Sequence, residues 1–440
     1  MRDILVTAIV IVLLVYALRR AVVGAYGWAW IGMMNPHRQT FGFASGMPFA
    51  QGFAIVTLLS AFAHRDQRHK IPINAITVIL ALLLFWMTVT SFFALNASDV
   101  VRERWVFVMK IQLMLFVTMI LVRGREQIER LLVVVTYSVG FYGIKGGIFT
   151  LMTGGSGRVW GPGGTMLEDN NELAVALVML VPMMAYIYQV TKRRWVRWAI
   201  GAGMVSTGLS ILGSQSRGAL LALVAMAFFL GIKGKHPVRS SVILVLGLVL
   251  AIGFMPESWT SRMDTMQSYE ADTSAMSRIY TWKTLWNCAV DRPLVGAGFQ
   301  ADSLPVFQRY APQDPQYAVF EGTVLVAHSI YLQVLGEHGF PGLVLYLLLG
   351  WVTWRTASRL KKQAEGDPEF GSWVPLLMPM AQVSLIGFAV GGAFLSLAYV
   401  DVPYYVLIVV ALVDATMKER FAQRAKTAGS PAGATAVASV

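Results

Sequence analysis

Long apolar runs constrain this chain before any single residue is considered. They recur from MRDILVTAIVIVLLVYALRR at the start to LVLYLLLGWVTW in the last third. Each is about 15–25 residues long, which is what a helix needs to cross the hydrocarbon of a bilayer. Transmembrane β-barrels are written as short alternating segments, a pattern not found here. The chain is 56% hydrophobic and only 14% charged, against roughly 25% charged in soluble domains. The sequence therefore predicts an all-α polytopic membrane protein.

Helices are expected over 4–34, 45–63, 73–95, 105–122, 130–152, 171–190, 195–213, 218–233, 240–255, 329–354, 373–398 and 404–417. That gives about twelve crossings, with both termini cytoplasmic. A split of 4–34 at Arg19-Arg20 would give thirteen instead. The N-terminal run lacks a small-x-small cleavage site, so it reads as a retained helix. The expected organisation is transmembrane helices over 1–255, a large extracytoplasmic loop over 256–328, further transmembrane helices over 329–417 and a disordered cytoplasmic tail over 418–440. Within the large loop, SRIYTWKTLWNCAV places Ile279, Trp282, Leu285 and Trp286 at helical spacing. This predicts an amphipathic helix on or dipping into the membrane surface.

The net charge of +12 could suggest nucleic acid, but the basic residues concentrate in short loops such as HRDQRHK, RGREQIER and TKRRWVR. These alternate with less basic loops, as the positive-inside rule requires, so much of the charge orients the protein in its membrane. Cys288 is the single cysteine, which excludes an intrachain disulfide and leaves a zinc cluster unsupported.

Ionisable residues inside such a chain are functional candidates. In VAHSIYLQVLGEHGFPG, His328 falls at a helix start, where the positive dipole end disfavours imidazolium. A neutral imidazole there can act as a general base. His338 lies ten residues on, about 15 Å along a continuous helix and on another face. Glu337 and His338 therefore read either as substrate contacts or as a buried polar pair supporting a bend at Gly339, Pro341 and Gly342.

Arg217 in SQSRGALLAL starts a helix that gains nothing from a guanidinium at that end. It and Arg278 could together hold a pyrophosphate through bidentate hydrogen bonds, or could simply meet lipid headgroups. The Gly-rich GGSGRVWGPGGTMLEDNNELA contains Arg158, Asp169, Asn170 and Asn171 and lacks the Walker pattern. It is a loose candidate phosphate cradle, and Asn170 or Asn171 could equally cap the next helix. Lys110 and Lys145 are intramembrane cations near the extracytoplasmic face. There is no H-E-x-x-H, no D-x-D and no nucleotide fingerprint, so no metal and no cofactor are expected.

HSIYLQVLGEHGFPG is similar to the H-[NS]-x-Y-L-x-x-x-x-E-x-G motif of the bacterial O-antigen ligase and polymerase family. SRGALLAL and SRIYTWKTLWNCAVDRPLVGAGFQ resemble that family's other two blocks, in family order and spacing. WAWIGMMNPHRQTFGFA, FYGIKGGIFTLMTGGSGRVWGPGG and EDNNELA resemble the O-glycosylation ligases of exosortase systems. The resemblance implies a GT-C-related fold in the bacterial inner membrane with a periplasmic site, and metal-independent, inverting glycosyl transfer. The donor would be a glycan on undecaprenyl pyrophosphate and the acceptor a sugar hydroxyl of lipid A–core. It implies His328 as base and Arg217 and Arg278 as pyrophosphate ligands. The same donor with a protein hydroxyl as acceptor, or an O-antigen polymerase, is the nearest alternative. From another class, a lipid-glycan flippase is disfavoured, because no internal repeat is visible and the polar residues cluster on one face.

Overall fold

The computed structural model describes residues 1–233, Gly253 and 273–428. Apart from that glycine, the helix expected over 240–255 lies outside them, as do 256–272 of the long loop and 429–440. Regular structure among the described residues is entirely helical: α1 (Arg2–Arg19), α2 (Ala21–Met34), α3 (Phe49–Ala63), α4 (Ala75–Ser91), α5 (Ser98–Leu121), α6 (Gly124–Met152), α7 (Asn170–Val190), α8 (Arg194–Gly213), α9 (Arg217–Lys233), α10 (Thr273–Asp291), α11 (Leu304–Tyr310), α12 (Ile330–Ala364), α13 (Val374–Gly391) and α14 (Asp401–Ala428), with short 3₁₀ turns between some of them. Five described spans are long and apolar enough to cross a membrane: Ser98–Leu121, Gly124–Met152, Asn170–Val190, Ile330–Ala364 and Val374–Phe394. Ala21–Met34, Phe49–Ala63, Ala75–Ser91 and Arg217–Ile232 are shorter apolar helices.

Over 4–34 the chain forms two helices, the alternative that a split at Arg19-Arg20 offered. The chain turns at Arg20, and both sides of that turn are bonded to Gln67, which donates to Arg19 O and accepts from Ala21 N. At the opposite ends, Asp3 accepts from the amides of Gly42 and Ala44, just past α2. α1 and α2 are therefore antiparallel. The two adjacent arginines mark the turn because they cannot be left in hydrocarbon.

Elsewhere helices outrun their apolar stretches, because hydrophobic length marks contact with lipid and not the end of the hydrogen-bond ladder. α14 is the clearest case. It continues to Ala428, so residues 418–428, expected in a disordered tail, are helical. Arg424 pairs with Asp367 and Glu369, and Glu419 with Arg123.

α7 runs through the centre, with nearly every side chain from Leu173 to Met184 buried, and packs against α6, α8, α9 and α13. α6 and α8 pack most intimately. A Cβ on Gly147 would lie 1.9 Å from Ser206 O, so only glycine admits this approach. Lipid offers helices no hydrophobic drive to associate, and such small-residue seams supply the contact instead.

The connections sort to two ends. At one, Arg123 donates to Lys70 O, and Arg359 of α12 donates to Asp414 of α14. At the other gather 35–48, 92–97, 153–169, 214–217, 292–329 and 392–400. Bonds there join Leu95 to Ala297, Val159 to Gly213 and His328 to Ser396. The described part of the long loop is folded. Tyr280, Phe307, Tyr317 and Phe320 form one buried aromatic cluster, and Leu285, Cys288, Ala297 and Val306 belong to another apolar cluster. α10 thus buries one face against α12 while Trp286 and Val290 stay exposed, which makes it the two-faced helix that the spacing predicts.

Candidate active site at the loop-bearing end

α12 does not run straight from Ile330. Gly339 has φ 67° and ψ −173°, outside any helix, and a Cβ there would lie 2.4 Å from Leu294 O. The break frees backbone groups that lipid cannot satisfy. Residues 293–298 supply the partners: the amides of Ala297 and Gly298 donate to Gly336 O and Glu337 O at 2.7 and 2.9 Å. The Phe340 amide donates to Pro293 O at 2.9 Å. The stretch RPLVGAGF is therefore the splint of a broken helix, and its glycines let backbone meet backbone.

Glu337 and His338 complete the splint. Glu337 accepts from the Gln300 amide at 3.0 Å and from the Tyr399 hydroxyl. His338 Nδ1 lies 2.7 Å from Thr90 Oγ1, and Nε2 lies 2.9 Å from the Tyr399 hydroxyl. Both ring nitrogens are thus engaged in a side chain with no exposed surface. His338, a candidate substrate contact by sequence, sits inside the wall. The structure places it in the buried pair that supports the bend.

His328 lies two residues before α12, with Ser329 as N-cap accepting from Leu332 N. Its φ of 44° is left-handed and unusual for histidine. The conformation is pinned from both sides. The His328 amide donates to Ser396 Oγ at 2.8 Å, and Trp282 Nε1 donates to Ala327 O at 2.8 Å. Trp282 and Arg278 are one turn apart on α10, so the contact that docks the indole also brings Arg278 to this end of α12.

The electrostatics agree with that placement. Burial first, and then the charge of Arg278, push the proton affinity of His328 below its ordinary value, while Asp169 opposes them. The ring is consequently neutral near pH 7 and half-buried.

The turn 214–217 is held against the same loops. Asn170 Nδ2 donates to Ser214 O at 2.7 Å, and the Val159 amide donates to Gly213 O at 3.0 Å. Arg217 opens α9 half-buried, and the next residue, Gly218, faces Phe394 in the loop that also carries Ser396. Asn170 is thus a buried tie. The cap of α7 is Asp169, whose side chain accepts from Asn171 N. Arg158 lies beside Trp160, its guanidinium 5.5 Å from the ring centre.

Arg278 and Asp169 are thus close enough to act on His328, Asn170 is tied to the turn before Arg217, and Arg158 lies beside Trp160 in the loop joined to that turn. Lys145 is exposed on α6, on a different face from the buried Gly143, Gly146 and Gly147 seam with α8. Lys110 lines a separate cavity with Trp28, His37, Arg38 and Asp401. Sequence reasoning missed Ser396 and Tyr399. They lie in LSLAYVD between two apolar runs, and only mild polarity sets them apart.

An apolar cavity of about 460 Å³ begins at Ile330 and Tyr331, directly after this site. It descends between α9, α12, α13 and α14 past Phe229, Leu349, Trp354 and Leu407. Among the described residues, no group of three or more His, Cys, Asp or Glu side chains could hold a metal ion.

Comparison with known families gives two adjacent matches. Residues 202–347 match the family model described as O-antigen ligase, and residues 1–192 match a family of unknown function. An O-antigen ligase family domain is thus present over part of the chain, and it contains Arg217, Arg278 and His328. No curated protein matches the chain.

Proposed function

We propose that this protein is a glycosyltransferase of the O-antigen ligase type, close to the O-glycosylation ligases of exosortase systems. It transfers a glycan from undecaprenyl pyrophosphate to a sugar hydroxyl of lipid A–core at the periplasmic face of the bacterial inner membrane. One observation carries this most: a neutral His328 under the field of Arg278, beside an apolar cavity that starts two residues further on. An imidazole that accepts a proton, a cation for phosphate and a groove for a hydrocarbon tail are the three parts such a reaction needs.

In this reaction His328 takes the proton of the acceptor hydroxyl as its oxygen attacks the anomeric carbon. The bond from that carbon to the pyrophosphate breaks, and the electron pair leaves on the phosphate. Arg217 and Arg278 stabilise the departing charge where it develops. Direct displacement inverts the anomeric centre and needs neither enzyme nucleophile nor metal. Arg158 and Asn170 belong to the same donor end, with Asn170 acting by fixing the turn before Arg217. The polyprenyl tail lies along Ile330, Tyr331 and Trp354, entering sideways from lipid. A GT-C-like bundle of twelve or thirteen crossings suits a donor that never leaves the bilayer, the paired α1 and α2 favouring thirteen.

The test is reconstitution with undecaprenyl-linked glycan and purified lipid A–core, with and without EDTA. Transfer to lipid A–core that persists in EDTA is expected. Elongation of lipid-linked glycan with no decoration of lipid A–core would make the protein a polymerase. Transfer only to a protein hydroxyl would move it to protein O-glycosylation.

A further inference from the structure

A second cavity of about 670 Å³ lies between α2, the 35–51 segment, α5, residues 164–167 and the start of α14. Most of its lining falls in the part of the chain matched to a family of unknown function. Two cations face it, Lys110 on α5 and Arg38 in the loop after α2, and among the described residues neither forms an ion pair. One carboxylate, Asp401, stands opposite: a Cβ on Gly32 would be 3.8 Å from its Oδ2. Trp28 and Phe107 add aromatic faces, and Asn35 and Gln51 add amides.

Two buried polar side chains belong to the lining. His37 is only 7% exposed, yet its Nδ1 has no hydrogen-bond partner, and Asp401 Oδ1 is likewise buried and unpartnered. The lining disfavours a purely apolar guest, because its two cationic side chains outnumber the single carboxyl group. An anion with polar substituents and a stacking face fits.

The location supplies the rest. Asp401 follows Ser396 by five residues, no more than about 18 Å of extended chain, and Ser396 holds the His328 backbone. Residues 164–167 lead directly to Asp169, whose charge acts on His328. The two sites are thus neighbours at one end of the bundle.

We infer that this cavity binds the acceptor and selects a sugar bearing a carboxylate or phosphate. This rests on the proposed glycosyl transfer. Lys110 and Arg38 hold the anionic group, Asn35, Gln51 and Asp401 meet ring hydroxyls, and Trp28 packs on the sugar face. Lys110 then belongs to the acceptor side and not to the donor pyrophosphate.

Binding is tested without turnover. The full chain in phosphatidylcholine nanodiscs is titrated calorimetrically with a glucuronic acid-containing disaccharide and with its neutral glucose counterpart. The charged sugar should bind at least about 10-fold tighter, and Lys110→Ala or Arg38→Ala should each weaken it about 10- to 100-fold. Lys110→Arg, which keeps the charge, should restore binding and so exclude misfolding. Equal affinity for the two sugars, or binding indifferent to Lys110 and Arg38, overturns the inference. So does loss of binding when phosphatidylglycerol replaces phosphatidylcholine, since a lipid headgroup would then be the occupant. If charge-selective binding is found but no transfer occurs, the proposed reaction fails and the sugar site stands.

Discussion

The Glu337 carboxylate accepts the backbone N–H of Gln300 at 3.0 Å, joining the broken helix α12 to the loop that threads its break. This bond explains why an acid is kept in so apolar a helix. Glu337 and His338 hold the first nine residues of α12, and with them His328, at a fixed angle to the bundle.

Removing either strut should therefore act on stability. Glu337→Ala and His338→Ala each leave buried polar partners unsatisfied, at a cost of about 1–3 kcal/mol. Thermal unfolding in detergent should show a lowered midpoint for both, with Glu337→Gln milder because its amide oxygen still accepts from Gln300. An unchanged midpoint for Glu337→Ala would mean that the bond does not hold the break.

His328→Ala should do the reverse. In the proposed reaction its side chain is the base, so kcat should fall by about 10²–10⁴-fold with the unfolding midpoint unchanged. Ser396→Ala removes the hydrogen bond that holds the left-handed backbone of His328. A bond worth about 0.5–1.5 kcal/mol corresponds to roughly a 2- to 10-fold loss in kcat, with donor KM preserved.

The pH profile follows from the lowered proton affinity of His328. A base works deprotonated, so activity should be flat near pH 7 and fall on acidification only below the ordinary histidine value. Arg278→Gln removes a nearby positive charge, raises the histidine pKa and moves the acid limb to higher pH. Asp169→Asn removes the opposing negative charge and moves the limb lower. Rates measured from pH 4.5 to 8, a window spanning the ordinary histidine value of about 6.5, check both signs.

Arg217→Lys keeps a positive charge and loses the planar fork. If Arg217 holds pyrophosphate bidentately, kcat/KM should fall about 10- to 100-fold, with donor KM rising and acceptor KM unchanged. Steady-state kinetics with each substrate varied would check this, and equal rates for Arg217→Lys and the parent would reduce Arg217 to a general cation.

The helices and their approximate limits could be read from the sequence because bilayer thickness writes itself into the chain as apolar length. The charged residues worth attention were also visible, since an ionisable group in lipid is conspicuous. The antiparallel α1 and α2 were only half visible. Arg19-Arg20 flagged a turn, but whether the chain doubled back depended on Gln67 and Asp3, which lie far away in sequence. The roles of His328 and His338 could not be separated by position alone, as both lie in one apolar stretch with polar neighbours.

Sequence by itself thus determined the class of the molecule and its candidate cations and imidazoles, because hydrophobicity and charge are local properties. Only the tertiary structure decided which of them meet. His328 joins Arg278 through the Trp282 contact and Asn170 ties the turn before Arg217, while Lys110 faces another cavity and His338 is walled in. Those partnerships depend on loops brought together from distant parts of the chain, and a linear pattern of residue types does not record such distances.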